Sequence, residues 1–493
     1  MKMSNKKQGV LENVIWKFAE RIGAQLITLI VSIVLARILS PEHYGTISII
    51  LIFINIANVF VSNGFTASLI QKKDSDELDF NTIFYFNIAF SFVLYGVIFV
   101  VAPMLETFFE LKHLGLALRI LGIKIPITAF NSIQQTYVAK HMMFKKIFWA
   151  TLGGTIVSAF VGIWMALNNY GVFALVGQYL SNGIIDTIML WIVIKWRPKF
   201  QFSFERFKIL FGFGWKVLLT YLVRTIYDDI YSFAIGKKYS SADLAYYTKG
   251  KQYPNLFVSN LNTSICAVLF PAFSKYQDDM VKMKEALRRS ISMSLYLLSP
   301  FLIGLAITAK PVIELLLTEK WLECVPYMQI VCVYQLLIPI SSANLQVIKS
   351  MGRSKVLLAL EIIKRVFGLA LLLVSMRFGV MAIAIGAAIA TFFNCILDIA
   401  ANCKLLNYSF LEQMKDILYG SVTSVFMGVS IYFFKFLITN SLLLLLVQVS
   451  TGVVAFVSFS FLTKNKNFLW LIQMSKEKFF ASKNKTNIDH ASE

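Results

Sequence analysis

Arg224 and Asp228 stand four residues apart inside an apolar stretch, 212–236, of membrane-spanning length. On a helix that spacing puts a guanidinium and a carboxylate on one face, where they can neutralise each other. Other ionisable groups lie in similar surroundings: Lys17, Glu20 and Arg21 in the stretch 14–36, and Lys249 and Lys251 in 244–272. Such side chains are costly inside membrane segments and mark the paths of ions or charged cargo. Arginine presents a planar fork to phosphate oxygens, and lysine a compact point charge. An acid near such a base suits a site whose protonation or ion occupancy changes between two states. These residue types therefore suggest binding and movement of an anion.

No catalytic set competes with that reading. The chain has no GxGxxG, Walker loop or HExxH. Its histidines, His43, His113, His141 and His490, are scattered through loops and tail. Cys266, Cys324, Cys332, Cys395 and Cys403 form no CxxC pair, so neither a disulfide framework nor a metal site is expected.

The elements that position these groups follow from hydropathy. Of 493 residues, 57% are hydrophobic and only 15% charged, and mean hydropathy is +0.67. A soluble domain carries about a quarter charged residues. Spanning segments of about 20 apolar residues are expected near 14–36, 44–68, 81–103, 115–138, 148–168, 171–194, 212–236, 244–272, 290–309, 327–348, 356–376, 379–403, 417–438 and 442–462. The longest polar connections are 195–211, 273–289 and 310–326. No small-residue cleavage site follows the first segment, so it reads as a retained helix.

Net charge is +20. With the N-terminus inside, one set of connections holds the basic runs around Lys72, Lys140, Lys195, Lys275 and Lys349, and the tail from Lys464. The other set holds only Arg37, Lys112, Lys237, Lys238, Lys310, Lys320 and Arg377. This asymmetry places both termini in the cytoplasm and removes any need for a nucleic-acid partner.

The chain repeats itself. Asn58-Val-Phe-Val-Ser-Asn63 recurs as Asn255-Leu-Phe-Val-Ser-Asn260, Trp16-Lys17 as Trp215-Lys216, and Lys140 and Lys146 as Lys349 and Lys355. Equivalent helices lie six spans apart, which describes a parallel repeat about an axis along the membrane normal. The expected organisation is an N-lobe, 1–208, a C-lobe, 209–403, two added helices in 404–462, and a basic cytoplasmic tail, 463–493.

Polar residues follow the repeat. Lys17, Arg21, Gln25, Thr28 and Ser32 fall within an arc of about 80°. Ser48, Asn55, Asn58, Ser62 and Thr66 form a similar stripe, as do Tyr221, Arg224, Thr225, Asp228 and Ser232. In the eighth segment the stripe is Thr248, Lys251, Asn255, Ser259, Asn262 and Cys266. One reading points all four stripes at a hydrated cavity between lobes. The other makes Ser, Thr and Asn interhelical glue and lets Lys17 and Arg21 snorkel to the interface. Asp186 and Asp398 are lone acids in the sixth and twelfth segments, each with a neighbouring helix to bond to.

Several stretches carry a family resemblance. Leu35-Ala-Arg-Ile-Leu-Ser-Pro-Glu-His-Tyr-Gly45, Asn63-Gly-Phe-Thr-Ala-Ser-Leu-Ile-Gln71, Ala245-Tyr-Tyr-Thr-Lys249, Leu269-Phe-Pro-Ala-Phe-Ser-Lys-Tyr-Gln-Asp-Asp279, Gly304-Leu-Ala306 and Glu319-Lys-Trp321 resemble Wzx-type polysaccharide flippases, in the teichuronic-acid and colanic-acid branch. The resemblance spans about residues 10–400, with 269–279 its most specific part. It implies an all-α membrane protein of about fourteen helices, related to MATE-type exporters. It also implies transport of undecaprenyl-diphosphate-linked oligosaccharides across a bacterial cytoplasmic membrane, in company with a polysaccharide polymerase and chain-length machinery. A drug or cation antiporter of the same fold, and a membrane glycan polymerase or ligase, are the alternatives.

On that reading the diphosphate meets Lys17, Arg21, Arg224 and either Lys249 or Lys251. The family's basic residue after the paired tyrosines falls on Lys249, whereas helical phase selects Lys251, and a bend at Pro254 would reconcile them. No cofactor is expected. H+ or Na+ is the candidate coupling ion, with Asp228 as its site and Glu20 in reserve.

Overall fold

The computed structural model describes residues 23–473 and 477, and every regular element among them is helical. Lys17, Glu20 and Arg21 lie outside the described residues. The chain forms two compact units that part between Ala245 and Tyr246. The first holds α1 (Gly23–Ile38), α2 (Pro41–Ser62), α3 (Gly64–Gln71), α4 (Glu77–Phe109), α5 (Leu114–Gly122), α6 (Lys124–Lys140), α7 (Phe144–Leu167), α8 (Val172–Val193), α9 (Phe204–Lys238) and the first turn of α10 (Ser241–Lys275). The second holds the rest of α10, then α11 (Met280–Ile307), α12 (Ala309–Leu317), α13 (Val325–Gln335), α14 (Ile338–Ser350), α15 (Ser354–Ser375), α16 (Val380–Leu406), α17 (Phe410–Tyr432) and α18 (Ser441–Leu462). A helical turn over 466–473 follows.

Twelve helices or helix pairs are long and apolar enough to cross a membrane. Two more segments complete the fourteen expected from sequence. One is α15, of spanning length but carrying Glu361, Lys364 and Arg365; the other is α1, described only from Gly23. The chain is a polytopic all-α membrane protein.

Three segments expected as single rods are broken. α2 and α3 part at Asn63, α5 and α6 at Ile123, and α13 and α14 at Leu336 and Leu337. Conversely α10 runs unbroken through Pro254 and Pro271, so the bend invoked to reconcile Lys249 with Lys251 does not interrupt the helix. The polar connections are shorter than hydropathy suggested, because capped helix ends extend into them. Ser203 accepts from the Arg206 amide and starts α9 at Phe204. Asp279 accepts from the Lys282 amide and starts α11 at Met280. Capping side chains satisfy amides that the first turn leaves open.

Charged clamps tie these ends down. Asp79, fully buried, lies 2.6 Å from Lys72 Nζ and 3.7 Å from Arg206. It also closes a capping box with Asp76 at the head of α4. The amide of Asp79, donating to Asp76, holds the Asp76 carboxyl below its usual range. In the second unit Lys284 meets Glu412 at 3.0 Å and Arg288 meets Asp416 at 2.8 Å.

α9, which the repeat assigns to the second lobe, packs along α2, α3 and α4 in the first unit. Glycines permit the approach. A Cβ on Gly214 would sit 3.3 Å from the Gly64 carbonyl oxygen and 2.9 Å from the Phe65 ring. At the other end of α2, a Cβ on Gly45 would lie 1.7 Å from the carbonyl oxygen of Ser241. No side chain fits there.

Candidate functional site

α9 carries the charged pair. The Arg224 guanidinium lies 3.6 Å from the Asp228 carboxylate, and the two side chains are 69% and 59% exposed. Arg224 sits about 21 Å from the α9 terminus at Lys238, taking 1.5 Å per residue. In a hydrocarbon core about 30 Å thick, that is well inside the membrane. An exposed guanidinium and carboxylate at that depth are incompatible with lipid and require a hydrated or polar surface. Lys216, Thr220 and Tyr221 extend the exposed face toward the other end of α9. On α2, Asn55 is exposed, and the Oδ1 of the half-buried Asn58 has no hydrogen-bond partner among the described residues.

α10 supplies the second set. Lys249 is only 4% exposed, and its ammonium lies 5.7 Å from the Trp321 ring centroid. Lys251 is half-buried, 5.1 Å from the Tyr247 ring, and forms no ion pair among the described residues. It sits about 15 Å from the start of α10. Lys251 is thus the more accessible of the two bases, and Lys249 is held inside the second unit.

The α10 asparagines are engaged in packing. Asn255 accepts from the Gln335 amide of α13. Asn262 donates to Ser342 of α14 at 3.0 Å and accepts from Cys266. These contacts favour interhelical bonding for Asn255 and Asn262, while Asn58 Oδ1 has no hydrogen-bond partner among the described residues.

Asp398 bonds to a neighbouring helix, as its lone position in an apolar segment suggested, and the structure supplies the partner that the sequence left unnamed. Asp398 of α16, fully buried, receives Lys364 Nζ of α15 at 2.5 Å. Glu361 pairs with Arg365 at 3.5 Å and approaches Lys364 at 4.0 Å. The signal was available: once Glu361 takes Arg365, Lys364 is left as an unmatched base on the helix preceding a lone acid. Asp186 of α8 likewise accepts from Asn131 of α6 at 2.7 Å.

Comparison with known proteins follows the same lines. The family described as polysaccharide biosynthesis protein matches residues 34–326. The succinoglycan biosynthesis transport protein ExoT of Rhizobium meliloti is 22% identical over 72% of this chain and 72% of its own. The lipopolysaccharide biosynthesis protein WzxC of Escherichia coli is 23% identical over 74% of this chain and 75% of its own. Among solved structures, the lipid II flippase MurJ in an inward closed conformation superposes with a TM-score of 0.75 at 17% identity, covering 91% of this chain and 98% of that one. An inward-facing MATE family multidrug resistance transporter reaches 0.59 at 14% identity, covering 80% and 98%. The fold is the one these transporters share, and the match over more than half of the sequence shows that the chain belongs to the polysaccharide biosynthesis protein family.

Proposed function

We propose that this protein is a flippase that moves undecaprenyl-diphosphate-linked oligosaccharide repeat units from the inner to the outer leaflet of a bacterial cytoplasmic membrane, by alternating access. The family match over 34–326 carries this reading. ExoT and WzxC, named for transport and for polysaccharide biosynthesis, support it. The chemistry agrees: Arg224 and Lys251 offer cations at membrane depth, suited to a diphosphate, while the sugars need a hydrated path. Lys17 and Arg21 are proposed to complete the cationic surface. The bases on α9 and α10 outnumber Asp228 and Asp229, which disfavours a cation antiporter. Among the described residues no external domain of the kind a glycan polymerase would present interrupts the spans.

The basic runs favour both termini inside; a reporter fused at Asn440 should then read outside, and an inside reading would invert the topology. The functional test is deletion of the gene. A flippase predicts loss of a surface polysaccharide with lipid-linked repeat units accumulating on the inner leaflet. Unchanged polysaccharide with new drug sensitivity would replace this reading with an exporter.

A further inference from the structure

The second unit contains a basic cavity remote in sequence from the α9 and α10 stripes. It has a volume of about 660 Å³ and lies among residues 285–293 of α11, 415–419 of α17 and 466–470 after α18. Arg288 is spent on Asp416 at 2.8 Å. That leaves Arg289, Lys415 and Lys466 facing the single acid Glu285, and none of the three forms an ion pair among the described residues. Trp470 forms one wall, with the Arg289 guanidinium 4.6 Å from its ring centroid. Asn467 fixes this wall by donating to Ser292 Oγ at 2.8 Å, and the Lys466 amide donates to the Tyr419 hydroxyl at 2.7 Å. The cavity is thus held by one buried and one exposed hydrogen bond just beyond the end of α18.

One helical turn deeper the lining changes character. Leu297, Pro300, Phe456 and Leu471 line an apolar cavity of about 420 Å³. Pro300 and Phe456 are shared with a further apolar groove of about 440 Å³ that continues between α11, α17 and α18. From Ser292 to Leu305, α11 rises about 20 Å, more than one leaflet of a core about 30 Å thick. A cationic, tryptophan-walled cavity, followed further along α11 by apolar cavities that share none of its lining residues, has the polarity of an amphiphile with an anionic head and an acyl tail. Basic pockets between membrane helices bind such headgroups, and tryptophan favours that interface.

We infer that the cavity bounded by Arg289, Lys415, Lys466 and Trp470 is a binding site for an anionic phospholipid, its phosphodiester held by the three bases and its chain lying along Leu297, Pro300 and Phe456. Every group lining the cavity comes from α11, α17 or the 466–473 turn, and none from the polar stripes. The site is therefore distinct from the proposed diphosphate path and does not rest on the flippase reading.

Native mass spectrometry of the full-length protein in detergent, titrated with phosphatidylglycerol or phosphatidylcholine, tests this. Phosphatidylglycerol should be retained and phosphatidylcholine not. Each of Arg289→Ala, Lys415→Ala and Lys466→Ala should weaken binding about five-fold, from the roughly 1 kcal/mol a base contributes at an anionic surface. Lys415→Arg and Lys466→Arg should bind as wild type, which separates charge loss from misfolding. Leu297→Trp, which fills the groove without touching a charge, should also weaken binding. Undiminished binding in the triple alanine variant would overturn the site. So would displacement of phosphatidylglycerol by millimolar inorganic phosphate, which would mark a soluble-anion site. Displacement by equimolar undecaprenyl diphosphate would overturn it too, by assigning the cavity to the transported lipid.

Discussion

Replacing Arg224 separates transport from folding because of where its side chain sits. Its partner Asp228 is 3.6 Å away, and both side chains are mostly exposed. A solvated i, i+4 pair of this kind contributes about 0–1 kcal/mol, so Arg224→Ala should fold and insert normally. The transport cost is set by the cargo. A charge-assisted hydrogen bond to a phosphate oxygen is worth about 1.5–3 kcal/mol, so losing one slows translocation roughly 10- to 150-fold. Arg224→Lys restores the charge without the fork and should recover part of that loss. The assay is the rate at which purified protein in proteoliposomes moves a fluorescent diphosphate-linked oligosaccharide between leaflets. Size-exclusion and thermal-melt profiles of each variant confirm the fold. Wild-type rates in a well-folded Arg224→Ala protein would remove Arg224 from the substrate path. Equal losses in the Ala and Lys variants would show that geometry rather than charge is required.

Three further outcomes follow from the geometry. If Asp228 couples transport to an H+ or Na+ gradient, Asp228→Asn in proteoliposomes should still bind substrate but lose its response to an imposed gradient; a wild-type response would leave Asp228 as a neutraliser of Arg224 only. Asp398→Ala strands the buried Lys364 ammonium with Glu361 4.0 Å away, at a cost of about 3–5 kcal/mol, whereas Lys364→Met combined with Asp398→Leu should recover most of it; thermal melts in detergent compare the two, and equal melting would refute the pairing argument. Gly45→Ala places a methyl 1.7 Å from the Ser241 carbonyl oxygen, so the start of α2 must move off α10, with a loss of folded yield in detergent corresponding to about 1–3 kcal/mol; an undiminished yield would show that the two helix ends separate freely.

Hydropathy and helical spacing were enough to read the class, the spans and the pairs within one helix. Spanning segments must be apolar over a length the bilayer sets, and Arg224–Asp228 and Glu361–Arg365 lie at spacings the helix itself brings together. The Lys364–Asp398 and Asn131–Asp186 contacts join different helices, and no periodicity in one helix encodes which face its neighbour presents. Helix ends were misplaced for a related reason. Asp279 and Ser203 start α11 and α9 inside stretches whose hydropathy reads as loop, because a cap depends on one side chain rather than on average polarity.

The two polar stripes show why periodicity could not decide between a cavity and packing. On α10, helical phase picked out Lys251, Asn255 and Asn262 as one face, yet their engagement differs. Asn255 and Asn262 are committed to Gln335 and Ser342, whereas Lys251 lies over the Tyr247 ring and forms no ion pair among the described residues. On α9 the same periodicity yields a face on which Arg224 and Asp228 contact each other and remain open. An amide buried between helices gains a partner and stabilises packing. A charge left exposed at that depth gains none from lipid, so it persists only where water or cargo supplies one. The partners of each polar atom, more than its phase, therefore divide the stripe into residues that hold helices together and residues available to substrate. By that division Arg224, Asp228 and Lys251 are the first positions to probe for transport.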